Sequence, residues 1–147
     1  MASFNTSTYT GQTTGTTTYP SARDAGGKLR YLTIPYVVNG AETNGDTINL
    51  GKLKVGSKVI PSLSRVISQA AFDANDVNIG SVSNPNAYAD ALDTTNAVLD
   101  QPFVGGDLQF APAAIAAGDE NVIATLVAVT TSTAGQLVLF LVAYVDE

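Results

Sequence analysis

The stretch QLVLFLVAYV at 136–145 limits the fold more than any other part of the chain. At period two it is apolar on both faces, with Leu137, Leu139, Leu141 and Val145 on one and Val138, Phe140, Val142 and Tyr144 on the other. A sheet strand with one wet face would alternate polar and apolar residues. This one must be covered twice, by a second sheet on one side and by a loop, a short helix or a subunit interface on the other. Leu137–Val145 is also the longest purely apolar run, and it is too short to cross a membrane as a helix. NVIATLVAVT, joined to it through the small polar loop TSTAG, predicts a C-terminal hairpin.

The same periodicity recurs upstream. In KLRYLTIPYVVNG, Leu32, Ile34, Tyr36 and Val38 share one face, and Tyr31, Thr33, Pro35 and Val37 share the other. Pro35 cannot donate to a ladder, which predicts an edge strand or a bulge, and Asn39-Gly40 ends the segment in a turn. Ile48 and Leu50 share a face, but beyond Gly51 the apolar set moves to Leu53 and Val55, which predicts a bulge or corner at the glycine. Val59, Pro61, Leu63 and Ile67 continue at period two, interrupted by Arg65, and Val77 and Ile79 pair further on. SNPNAYADALD reads as one or two helical turns, with Asn84 as cap, Pro85 in the first turn and Tyr88 stacked before Leu92. Residues 93–106 read as a loop-rich connection, DLQF as a short strand and APAAIAAGDE as a link. Short strands with turns between them and no βα alternation predict an all-β protein, a β-sandwich of jelly-roll type with one short helix. Its domain spans 28–147, preceded by an extended Thr-rich N-terminal arm at 1–27 that closes with DAGG.

Composition removes most chemistry. The chain has no histidine or cysteine, which excludes disulfides, Cys/His zinc sites and His-based nucleophilic triads within one chain. DANDVN at 73–78 has Val77 and Asn78 where a calcium loop needs a ligand and a glycine, so it reads as a turn. Asp90, Asp93, Asp100 and Asp107 lie in turn and flank positions rather than as an acid–base pair. Ser57 and Lys58 are adjacent, and adjacent strand residues face opposite ways. No catalytic, metal or cofactor site is expected, and no secretory signal is visible. The net charge of −6 is split: 7 basic minus 3 acidic residues give +4 over 1–65, and ten acidic residues with no basic one give −10 over 66–147. Either folding interleaves the two halves, or opposite patches attract neighbouring subunits. With a pI near 4.3 and no basic stripe, nucleic-acid binding is not expected.

The runs GDTINLGKLKVGSKVIPSLSRVI (45–67) and DVNIGSVSNPNAYADALD (76–93), followed by the apolar C-terminal segment, resemble the pattern of small capsid-associated proteins of tailed bacteriophages. The resemblance is to jelly-roll head decoration, or cement, proteins, and it covers about two thirds of the chain. It implies a protein of the virion, on the outer surface of the capsid and made in the host cytoplasm. Such a protein would be a homo-oligomer, with a trimer favoured, whose partner is the major capsid protein. It implies an N-terminal extension that contacts the shell or adjacent subunits, and no cofactor, nucleic acid or membrane. Partner-contacting candidates are Phe4, Tyr9 and Tyr19 in the arm and Phe140 and Tyr144 in the last strand. The competing reading is a fibre, tail or adhesin-type module that binds a glycan or another virion protein, for which Tyr36, Tyr88 and Phe103 are the aromatic candidates.

Overall fold

A computed structural model describes residues 2–5, 29–73, 77–95, 97–108, 115 and 119–146. Among these residues ten strands follow in order: β1 (Ser3–Asn5), β2 (Leu29–Val37), β3 (Thr47–Leu53), β4 (Lys58–Val59), β5 (Arg65–Gln69), β6 (Val77–Gly80), β7 (Ala89–Leu92), β8 (Ala97–Pro102), β9 (Glu120–Leu126) and β10 (Leu137–Val145). They form two sheets. Sheet A has the order β1-β3-β9-β6-β7; sheet B has the order β2-β10-β5-β8, with β4 paired beside β10.

Setting aside β1 and β4, the antiparallel pairs nest: β2 with β10, β3 with β9, β5 with β8 and β6 with β7. That is one long hairpin rolled up and closed by β10 against β5 and β6 against β9. The result is an eight-stranded jelly roll. Its core is lined by Leu32, Ile34, Tyr36 and Val38 from one edge, Ile48, Leu50 and Leu53 from β3, and Val138, Phe140 and Val142 from β10.

Several local expectations hold. β2 is the edge strand of sheet B, so Pro35 removes no ladder bond within the chain. The register of β3 against β9 slips between Asn49 and Gly51, as the shift in its apolar set predicts. Val55, expected inside, is instead 54% exposed on the turn that follows.

Other expectations fail for tertiary reasons. β9 and β10 do not form a hairpin, because they lie in different sheets. The link between them takes its hydrogen bonds elsewhere: Thr133 N donates to Ala71 O, Gly135 N to Val38 O, and Phe72 bridges Ser132. It crosses the end of the sandwich and delivers β10 to β2. The expected helix at 84–93 is a turn followed by β7. Tyr88 N donates to Ile79 O and Asp90 N to Val104 O, so sheet pairing takes the amides a helix would have used. Among the described residues the helical turn is at Pro61–Leu63 instead, a 3₁₀ turn with Pro61 in its first turn. It resets the alternation, so that β5 buries Val66 and Ser68 and turns Ile67 outward. The expected loop at 93–106 contains β8, while Asp107 and Leu108 form a turn rather than the start of a strand.

Two glycines allow the backbone crossings around this turn. A Cβ on Gly80 would lie 2.1 Å from Asn84 O, and one on Gly106 would lie 2.3 Å from the Tyr88 carbonyl carbon. Both obstacles are backbone and cannot swing aside. Gly106→Ala should therefore cost about 1–3 kcal/mol and lower the thermal midpoint by several degrees, roughly 2–4 °C per kcal/mol. An unchanged melting curve would mean that the crossing is looser than described.

Candidate assembly surface

The two outer faces of the sandwich differ in chemistry. On sheet A, Thr47, Thr125 and Asn78 align across β3, β9 and β6, and Lys52 lies opposite Asn121 on β9. Ile123 lies in the same row of β9, 4% exposed beside Asn49, so that face is mostly polar but partly covered. On sheet B, cross-strand registers place Val37 beside Leu137, Leu139 between Pro35 and Ile67, and Leu29 beside Val145. Tyr31, Leu29 and Val37 are 49%, 45% and 60% exposed, while Leu137, Leu139, Leu141 and Ile67 are half-buried. Contiguous exposed apolar side chains of this kind mark surfaces that another molecule covers. The first expectation for β10 thus holds on its inner face, and its outer face is only partly sheltered among the described residues.

The charges around this face are paired. Arg65 Nε donates to Asp100 Oδ1 at 2.7 Å across β5 and β8, and Arg30 Nε lies 3.0 Å from Asp146 Oδ2. Both pairs join the basic N-terminal half to the acidic C-terminal half, which is the interleaving that the split charge pattern allowed. The Arg65–Asp100 pair raises the guanidinium pKa through its hydrogen bond and charge, but it is exposed and contributes little to stability.

Aromatic side chains are distributed differently from the sequence reading. Phe140 and Tyr144, proposed as partner-contacting, are 0% and 3% exposed and belong to the core, since their period-two row is the one that faces sheet A. Phe4 is partly buried on β1, packed against the core. Tyr9 and Tyr19 lie outside the described residues. Tyr36, Tyr88 and Phe103, the aromatics a glycan platform would have used, are all buried. Burial and the charge of Glu120 push the Tyr88 hydroxyl pKa up to about 12. The exposed aromatic on sheet B is Tyr31; its place on the outer row of KLRYLTIPYV was legible, but its role was not singled out.

One buried polar cluster stands apart. The Glu42 carboxylate accepts hydrogen bonds from Tyr36 OH at 2.5 Å, the backbone amides of Asn39, Gly40 and Ala41 at 2.8, 2.9 and 3.1 Å, and Ser132 Oγ at 2.8 Å. Burial pushes its pKa up, but these donors outweigh burial and hold it below the ordinary carboxylate value. The same contact, with burial as the largest cause, keeps the Tyr36 hydroxyl protonated far above its usual range. Asp46 is held low mainly by the Ala2 amide, and also by Thr43. Asp73 is held low by Thr130 and Thr131. These carboxylates are occupied by the fold itself, and among the described residues no group of three or more Asp or Glu side chains gathers as a metal site. No helix of the described residues is long and apolar enough to cross a membrane.

The sequence matches no family model and no curated protein. Its fold defines it as a jelly-roll sandwich of a kind present in phage capsid structures. A chain of the capsid of Ralstonia phage GP4 superposes with a TM-score of 0.73 at 14% identity, over 99% of this chain and 99% of that one. A chain of the cyanophage Pam1 capsid asymmetric unit gives a TM-score of 0.63 at 18% identity, over 89% of this chain and 93% of that one.

Because Glu42 and Asp46 have folded pKa values below their unfolded ones, their stabilisation is present above the unfolded carboxylate range and is lost as pH falls through the folded values. Urea midpoints should therefore fall on acidification below about pH 4. Glu42→Gln, which leaves some of the donors without an acceptor, should cost about 1–3 kcal/mol at pH 7 and flatten the acid decline. An equally steep decline in the variant would remove Glu42 as a cause.

Proposed function

We propose that this chain is a virion structural protein, specifically a cement or decoration protein on the outer surface of a phage head that bridges major capsid subunits. The carrying observation is the apolar outer face of sheet B, set opposite a mostly polar face on sheet A, in a jelly roll. A protein that strengthens a shell needs a broad contact surface with little net charge, repeated many times, rather than a pocket. Weak contacts then act together once geometry permits simultaneous engagement. The likeness to chains of two phage capsid structures supports this role. The composition, which lacks histidine and cysteine, argues against enzymatic work.

In this reading the chain acts as a homo-oligomer, with a trimer favoured, and Tyr9 and Tyr19 of the Thr-rich arm anchor it to neighbours. The glycan-binding alternative loses support, since its aromatic candidates are buried. The direct test mixes the protein with empty phage shells of the same virus and measures bound copies against added protein. Saturation at a fixed number per shell is expected; no binding to shells, with binding to a glycan array, would reverse the assignment.

Leu139→Asp places a charge in the centre of the outer row without touching the core. It should weaken shell binding or self-association roughly 10- to 100-fold, the equivalent of one buried apolar side chain. Far-UV circular dichroism and the unfolding midpoint should stay close to those of the parent. Equal binding by the variant would move the interface off sheet B.

A further inference from the structure

Sheet B ends at β2, and the ladder on the paired side of that strand fixes which backbone groups its open side presents. Val38 N donates to Gln136 O, so the even-numbered residues of β2 turn their amides toward β10. The contacts of β10 agree. Leu137 N donates to Gln69 Oε1 and Ala143 N to Ser64 Oγ, while Ala143 O accepts from Ile60 N, so the odd-numbered residues of β10 turn away from β2. The register joins odd to odd, Val37 to Leu137 and Leu29 to Val145. Backbone groups of successive strand residues alternate in direction, so the odd-numbered residues of β2 point away from β10. Tyr31, Thr33, Pro35 and Val37 therefore hold the outward row of backbone groups, and among the described residues no strand pairs with it.

Apart from one residue, this edge suits a second copy of itself. Two β2 strands related by a two-fold axis at Thr33 would run antiparallel, each Tyr31 beside a Pro35 and each Leu29 beside a Val37. These side chains are exposed on the outer face of sheet B, so the apolar surface would continue from one copy into the next. The exception is the backbone of Pro35. It has no N–H to give the facing Tyr31 carbonyl, and its ring Cδ stands where the amide hydrogen would reach that oxygen. The two-fold axis repeats the defect, so each strand loses a bond and keeps a carbonyl without its donor. Inside a single chain the same proline costs nothing, because β10 uses the even-numbered amides. Proline on an exposed edge is one of the means by which sheets avoid joining edge to edge.

We propose that Pro35 sets how copies of this chain can meet, by closing the β2 edge of sheet B to strand addition from a second copy. The block acts on any two copies in solution, so it goes beyond the assembly reading and does not depend on it.

Pro35→Val restores the missing amide with a residue that suits a strand. Sedimentation velocity of the full-length chain over a concentration series should show self-association roughly tenfold or more tighter than the parent's. Valine also alters the outer face, and a second variant separates the two effects. Thr33→Pro/Pro35→Val keeps the valine but moves the block to the neighbouring outward amide, which likewise serves no bond to β10. It should return to the parent's association. Hydrogen exchange reads the same edge directly: in associated Pro35→Val the Thr33 and Val37 amides should exchange roughly tenfold or more slowly than in the parent. A Pro35→Val protein that sediments as the parent does at every concentration would overturn the proposal. So would a double variant that associates as tightly as Pro35→Val, or unchanged exchange at Thr33 and Val37 in the associated protein. None of these readouts involves a shell, so failure of the capsid assignment would leave them untouched.

Discussion

One carboxylate ties together two stretches of the chain that are 90 residues apart, the corner after β2 and the link before β10. Tyr36 comes from β2, the amides of 39–41 from the corner that leaves it, and Ser132 from the link that delivers β10, and all donate to Glu42. The rolled hairpin closes at this place. β10 must arrive beside β2 in a register of nine residues, because a slip of one would turn Phe140 and Val142 to the outside. The acid fixes the spatial relation between the end of β2 and the approach to β10, and the ladder then extends it along both strands. Such a group is worth retaining only where every lone pair is occupied, since a half-satisfied buried carboxylate would destabilise the corner.

The nested topology also explains the glycines. A jelly roll brings segments far apart in the chain across one another at its ends, so backbone approaches backbone without side chains between. Gly106 against 88–89 is such a crossing, while Gly80 against 84–85 is a tight turn that folds the chain back on itself. They sit where Asn84, Pro85 and Tyr88 carried a local helix signal. The chain at 84–92 is thus governed by its neighbours β6 and 104–105, and a capping motif worth about 1 kcal/mol cannot compete with a set of sheet hydrogen bonds and two buried side chains.

This sorts what was legible in the sequence from what was not. The inner rows of β2, β3, β6 and β10 could be read, because period-two alternation is a direct consequence of burying one face. The edge position of β2 followed from Pro35, and the bulge of β3 from Gly51. The pairing of β10 could not be read: apolar strands joined by a short polar loop look alike whether they pair with each other or part into two sheets. The outward turn of Ile67 was hidden for a similar reason, since three residues of 3₁₀ turn at Pro61–Leu63 reset the alternation without altering its composition. For the candidate surface, the double apolarity of the last strand resolves into one row inside the sandwich and one row turned outward. Phe140 and Tyr144, the largest side chains there, fill the interior, and the smaller Leu137, Leu139 and Leu141 form the row turned outward.

That division has a physical logic. Large aromatics best fill the space between two sheets about 10 Å apart, whereas branched aliphatic residues make a flatter outer surface that can meet a broad partner. The same strand thus holds the sandwich together with one row and offers a surface with the other. β10 is paired along its whole length with β2 on one side, and with β5 at 138–141 and β4 at 144–145 on the other, so its outer row has a hydrogen-bonded backing. A rigid backing lets an interface form without ordering new backbone, which lowers the entropic cost of each contact. The outer face of sheet A carries Thr47, Thr125 and Asn78 with only Ile123 apolar in the same row of β9, so the two faces differ in chemistry.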